Sequence, residues 1–156
     1  MSEALRPFST FREVLDFAIQ REREARSIYL EYAKATSYQG MRSLLVSMAE
    51  QEREHEAKLA ELASRGGEPG FSGRKAEDLN LDAYMATVSF SPAMNYQDFL
   101  LLVIQKENAS LRLYEQLAEG ASETDVRELF AGLAEEEKRH KAWAQDRYDL
   151  EILKQN

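Results

Sequence analysis

The sequence predicts an all-α protein in which four long helices pack as a bundle. Apolar residues recur with helical spacing along most of the 156 residues, and strand-like alternation is scarce. The predicted helices form two pairs, each joined by a short turn, and about thirty residues rich in glycine and proline separate the pairs. A connection of that length can run the length of a helix, so we predict two helical hairpins joined by one long crossover.

The first predicted hairpin comprises helices over residues 11–36 and 39–64. Thr10 and Glu13 have the spacing of a capping box, which favours a helix start at residue 11. The glycine pair at 66–67 is predicted to end the second helix, because glycine readily adopts the backbone conformation that terminates helices.

The second predicted hairpin comprises helices over residues 96–119 and from just after Ser122 to about residue 153. Asn95 is a candidate N-terminal cap for the third helix, and Gly120 is predicted to end that helix. Within the long crossover between the hairpins, a short helix is predicted over residues 76–87.

The composition is that of a soluble protein, with 44% hydrophobic and 31% charged residues, and we predict a single domain over residues 1–156. The net charge of −8 comes without a basic tail or stripe, which argues against a nucleic-acid partner. The absence of cysteine excludes disulfides, cysteine-ligated zinc and iron–sulfur clusters. No run approaches the roughly 18 apolar residues of a membrane span, and residues 1–7 have no signal-like apolar core, so we expect a cytoplasmic protein with no membrane partner.

The two hairpins resemble each other, which indicates an internal repeat of approximately residues 11–64 and 96–149. The only two histidines, His55 and His140, are 85 positions apart (140 − 55), and each ends a Glu-x-x-His run. The same offset maps Glu22 onto Glu107, although several neighbouring positions have diverged. Duplication alone explains why matches exist, but it does not explain why these polar residues are among those retained.

Two Glu-x-x-His runs, with one further glutamate from each remaining helix, make a ligand set for two metal ions. Residues i and i+3 lie on one face of a helix, so the glutamate and histidine of each run can point at the same place. Each of the four glutamates interrupts an apolar stripe that is predicted to face the core, where unpaired carboxylates would be costly to bury. Two divalent cations would neutralise these four charges. The predicted metal ligands are Glu22, Glu52, His55, Glu107, Glu137 and His140.

Two tyrosines recur at the 85-residue offset, Tyr29 and Tyr114, and lie two helical turns from Glu22 and Glu107 on the same faces. One hypothesis makes them core aromatic residues with satisfied hydroxyls. The other gives them a candidate catalytic role, exerted through hydrogen bonds to a ligand carboxylate. Trp143 is expected to pack near one end of the bundle.

The pattern Glu22-x-x-Ala25-x-x-x-Tyr29, the run from Leu44 to His55 and their equivalents in the second half closely resemble the rubrerythrin-like branch of the ferritin-like superfamily. The resemblance covers residues 11–34, 44–62, 98–118 and 126–143. It implies a ferritin-like four-helix bundle and a non-haem di-iron centre, with the six predicted ligands holding two iron ions. It also implies that the reduced centre reacts with O₂ or H₂O₂.

Two departures from rubrerythrins bear on the activity. Rubrerythrins typically carry a further glutamate one turn after the ligand on the third helix, where this sequence has Ser110, and the repeat equivalent is Ala25. The resulting symmetric ligand set is more similar to that of bacterioferritin, which argues against rubrerythrin-type peroxidase activity. A C-terminal rubredoxin domain is also missing, so we expect a separate electron donor.

The function expected from the sequence is oxidation of a di-iron centre by O₂ or H₂O₂, in an oxidoreductase of the ferroxidase or peroxidase type that detoxifies peroxide or iron. One alternative is an iron-sequestering protein without significant turnover, and another is a di-iron oxygenase acting on an organic substrate. The ligand types alone would also accept manganese or zinc. Long helices with broad flanks are compatible with a homodimer.

Overall fold

The protein is a bundle of four α-helices in a computed structural model that describes residues 10–65 and 89–153. These helices are α1 (Phe11–Ala35), α2 (Gln39–Ser64), α3 (Tyr96–Gly120) and α4 (Thr124–Glu151). The predicted all-α four-helix bundle is therefore confirmed. The short helix predicted over residues 76–87 lies outside the described residues.

Two apolar clusters, one at each end of the bundle, show how the helices run. One cluster joins the start of α1 and the end of α2 to the end of α3 and the start of α4. The other cluster joins the opposite helix ends. Accordingly, α1 runs antiparallel to α2 and α3, and α2 ends at the opposite end of the bundle from the start of α3. This is the predicted connectivity of two hairpins and one long crossover.

The predicted apolar stripes form the core. Each helix buries a face with helical spacing, and the burial of these faces supplies most of the stability that isolated helices lack. Ser110 is an exception on its predicted stripe, because it is only half-buried. Trp143 is partly buried against the cluster at the end of the bundle that contains the start of α3, in agreement with the prediction.

Two of the four helices begin with a side-chain cap, and both caps are the predicted ones. The Thr10 hydroxyl accepts a hydrogen bond from the backbone N–H of Glu13 at 3.2 Å. The Asn95 side-chain oxygen accepts one from the backbone N–H of Asp98 at 2.8 Å. Each cap satisfies a backbone donor that has no partner within its helix.

The third helix, predicted to end at about Gly120, ends there, since Gly120 is the last residue of α3. The chain leaves α3 at Ala121 in an extended conformation (φ −71°, ψ 131°), and the N–H of Ala121 donates to the carbonyl of Leu117 at 3.1 Å. An extended exit does not need the left-handed backbone for which glycine is favoured. Within the described ranges, no helix combines the length and the hydropathy that a membrane crossing requires.

Candidate metal centre

All six predicted ligand residues meet between the two apolar clusters, and each has at most 5% of its surface exposed. Their candidate ligand atoms form two groups, and within each group the atoms lie within 4.8 Å of one another. Glu52 and Glu137 belong to both groups. The first group is completed by Glu22 and His55, and the second by Glu107 and His140. The arrangement can therefore hold two cations side by side, with two carboxylates shared between them.

Each histidine turns its Nδ1 atom towards the shared centre. The Nδ1 of His55 lies 2.8 Å from Glu137 Oε1 and 3.6 Å from Glu22 Oε2. The Nδ1 of His140 lies 3.0 Å from Glu52 Oε1 and 3.6 Å from Glu107 Oε2. In both cases the nearest carboxylate comes from the other hairpin, so neither hairpin alone contains a complete ligand group.

Several inward-facing atoms of the ligand residues are buried without a hydrogen-bond partner. Buried polar atoms in proteins are nearly always paired, and an unpaired buried carboxylate oxygen is costly. Their convergence, together with the mixture of carboxylate and imidazole donors, fits divalent cations such as iron, manganese or zinc. The partnerless atoms are Glu22 Oε2, Glu52 Oε1, Glu107 Oε2, Glu137 Oε2 and His140 Nδ1.

The outer ring nitrogens of both histidines are also held in place. The Nε2 of His55 is hydrogen-bonded to the Glu136 carboxylate, and the Nε2 of His140 lies 2.7 Å from Gln51 Oε1. A proton on Nε2 leaves Nδ1 free to bind a cation, so these two contacts select the ligating tautomer. Both residues directly precede the glutamate of a Glu-x-x-His run, and they are related by the 85-residue offset (136 − 51).

The hydroxyl of each of the two tyrosines donates a hydrogen bond to a carboxylate of the other hairpin. The Tyr29 hydroxyl on α1 donates to the Glu107 carboxylate on α3, and the Tyr114 hydroxyl on α3 donates to the Glu22 carboxylate on α1. Burial, and then the charge of Glu107, raise the pKa of Tyr29 well above its ordinary value. Burial and the charge of Glu22 do the same to the pKa of Tyr114. Both phenols therefore stay protonated and act as hydrogen-bond donors, while their catalytic role remains a prediction.

The family model for rubrerythrin matches residues 13–148. This chain belongs to the rubrerythrin family. A solved structure of a hypothetical protein from Pyrococcus furiosus is similar in fold, with a TM-score of 0.70 and 24% sequence identity over 90% of this chain and 89% of the other. Among curated proteins, no sequence matches this chain significantly.

In this rubrerythrin-family bundle, burial and nearby groups shift the pKa values of Glu22 and Glu52 in opposite directions. Burial, and then the charges of Glu107 and Glu22, raise the pKa of Glu52 well above its ordinary value. Burial also acts to raise the pKa of Glu22, but the proximity of Glu52 and His55 and the charge of His55 outweigh it, and the net pKa is lowered. In the metal-free centre the raised pKa favours the protonated form of Glu52, so a cation that binds there competes with a proton.

The pKa of His55 is also shifted by burial and by nearby carboxylates. Burial acts to lower the pKa of His55, but the proximity and charge of Glu22 and the hydrogen bond to Glu136 with its charge outweigh it, so the net pKa is raised. In its protonated form His55 partly compensates the surrounding carboxylates. A divalent cation would take over this role and release the proton.

Proposed function

We propose that this protein binds two iron ions at the six ligand residues and acts as an oxidoreductase of the ferroxidase or peroxidase type, with O₂ or H₂O₂ as the oxidant. The observation that carries the proposal is the convergence of partnerless, buried carboxylate oxygens from both hairpins on two inward-facing histidines. Membership of the rubrerythrin family supports iron as the metal.

The residues divide into three roles in this proposal. His55 with Glu22 would hold one ion and His140 with Glu107 the other, while both ions would share Glu52 and Glu137. The chemistry that two iron ions supply is a two-electron oxidation, 2 Fe(II) to 2 Fe(III), coupled to reduction of O₂ with two protons to H₂O₂, or of H₂O₂ with two protons to two water molecules. Four carboxylates stabilise the more highly charged product, because anionic oxygen donors favour ferric over ferrous iron.

The surrounding residues orient the ligands and exclude water. The protonated tyrosines Tyr29 and Tyr114 fix the carboxylates of Glu107 and Glu22, which leaves one oxygen of each directed at the centre. The apolar clusters above and below the centre separate it from the bundle ends. Repeated turnover requires return of the ferric ions to the ferrous state, and we propose a separate electron-donor protein for that step.

An anaerobic titration of metal-free protein with Fe(II) tests the binding part of the proposal. We expect saturation at two irons per chain, since two ligand groups are present. Stopped-flow absorbance after addition of O₂ or H₂O₂, in separate experiments, then measures oxidation and identifies the faster oxidant. Slow oxidation in a single turnover, with the iron retained even when a reductant is supplied, would contradict the proposal and indicate sequestration.

The substitution Glu137→Ala should abolish stoichiometric binding of both ions, because Glu137 belongs to both ligand groups. Glu135→Ala is the matched control, since Glu135 lies two residues earlier on α4 with its side chain exposed. Two irons per chain and unchanged oxidation in the Glu137 variant would refute the assignment of this centre.

A further inference from the structure

We infer that the two metal positions differ in affinity, and that the Glu136 carboxylate makes the position beside His55 the tighter one. The inference rests on the proposed function in that it requires two occupied metal positions. It goes beyond that function because it assigns a filling order and names the residues that set it.

The ligand residues themselves give no reason for a preference. Each position has one histidine, one glutamate of its own and the shared pair Glu52 and Glu137. The distances from each Nδ1 atom to its two nearest carboxylate oxygens are also matched, at 2.8 and 3.6 Å for His55 and 3.0 and 3.6 Å for His140. By residue type and by these distances the two positions are equivalent, and the contacts that differ in charge lie outside this set.

The hydrogen bonds to the outer ring nitrogens break the symmetry. Both acceptors occupy the same place in the repeat, since 136 − 51 equals the 85-residue offset, but one is a carboxylate and the other is an amide. The Nε2 of His55 bonds to Glu136, whereas the Nε2 of His140 meets the neutral Oε1 of Gln51 at 2.7 Å. Both halves of the repeat therefore have this hydrogen bond, but its acceptor is charged in one half and neutral in the other.

A carboxylate acceptor strengthens the histidine as a ligand. A charge-assisted hydrogen bond is roughly twice as strong as a neutral one, and it draws the Nε2 proton outward, which increases electron density at Nδ1. The Glu136 side chain is 33% exposed, so solvent screens its direct attraction for a cation. Glu136 therefore acts on metal affinity mainly through the imidazole ring of His55. The neutral Gln51 has no equivalent effect on His140.

Substoichiometric loading with Co(II) tests the filling order without any measurement of activity. Metal-free protein is crystallised with one equivalent of Co(II) per chain, and anomalous diffraction gives the occupancy of each position. We expect the higher occupancy beside His55, and two calorimetric binding steps that differ by about 10- to 100-fold in affinity, which is the usual range for a hydrogen-bonding partner of a ligand histidine.

Exchange of the two acceptors provides the decisive variants. In Glu136→Gln the occupancies of the two positions at one equivalent of Co(II) should become equal, and in the double variant Gln51→Glu/Glu136→Gln the higher occupancy should move to the position beside His140. Glu135→Gln is the matched control, because it makes the same chemical change at an exposed site one residue away. Thermal unfolding followed by circular dichroism checks that every variant is folded.

Equal occupancy of the two positions in the native protein would overturn this inference and leave the proposed function intact. An unchanged preference for the His55 position in the folded double variant would also overturn the role of Glu136. Failure of Co(II) and Fe(II) to bind at either position would overturn the proposed function together with the inference. The measurement on the native protein decides the filling order even if a variant does not fold.

Discussion

The hydroxyls of Tyr29 and Tyr114 each tie a ligand of one hairpin to a helix of the other. The substitution Tyr29→Phe removes the donor to Glu107 and leaves a buried carboxylate oxygen without its partner. We expect the metal-free protein to lose about 1–3 kcal/mol of unfolding free energy, and one metal-binding step to weaken by about 10-fold or more. Urea unfolding and calorimetric titration measure the two effects.

Tyr32→Phe is the control for that variant. Tyr32 lies on the same helix, and its ring stacks on Phe99 with centroids 3.8 Å apart and an angle of 4° between the planes. Loss of its hydroxyl should leave metal binding unchanged. Equal metal binding by Tyr29→Phe and Tyr32→Phe would show that the hydrogen bond to Glu107 does not support the ligand.

The convergence of the six predicted ligand residues could be anticipated from the sequence, but their mutual contacts could not. The spacing of Glu52 and His55 follows from helix geometry alone, which is a local property. The partner of Tyr29 depends on how α1 packs against α3, which is a tertiary property. Its helix places it on the same face as Glu22, yet its hydroxyl bonds to Glu107 instead.

At the scale of single helices, the capped start of α3 can be tested. Asn95→Ala removes the side-chain acceptor for the backbone N–H of Asp98 and should cost about 1 kcal/mol of unfolding free energy in urea denaturation. Glu123→Ala is the matched control, because Glu123 precedes α4 without a side-chain cap bond. An equal loss in both variants would contradict the capping role of Asn95.

The helix bounds could be predicted to within two residues in the described ranges, and the starts of α1 and α3 have a local signal in Thr10 and Asn95. The predicted helix over residues 39–64 coincides with α2, and the predicted helix over residues 11–36 extends one residue beyond α1. The way the chain leaves α3 could not be predicted, because glycine permits a left-handed exit without requiring one, and Ala121 is extended instead.

For the whole molecule, proton uptake makes stability depend on pH in the metal-free state. The pKa values of Glu52 and His55 are raised in the folded protein from their ordinary values of 4.5 and 6.5. At pH values above these ordinary values, the folded protein therefore binds more protons than the unfolded chain. Stability should therefore fall as the pH rises from about 6 to about 8. The lowered pKa of Glu22 acts in the opposite direction, but only near and below its ordinary value of 4.5.

Unfolding in urea at about pH 6 and about pH 8, with and without bound metal, measures this dependence. A cation displaces the protons, so the metal-loaded protein should not lose stability over the same range, and the metal affinity should increase with pH. Glu52→Gln removes one titrating group and should flatten the profile of the metal-free protein. A metal-free protein that becomes more stable at about pH 8 would contradict this account of the centre.

Because each candidate ligand group draws residues from both hairpins, metal binding would be thermodynamically coupled to association of the hairpins. The free energy of coordination is added to the attraction between the halves, so a loaded bundle is held together at its middle as well as by apolar packing at its ends. A protein prepared as two separate chains, residues 10–65 and residues 89–153, should consequently recombine more tightly when a divalent cation is present. The concentration of free divalent cation would then set the affinity of the two hairpins for each other.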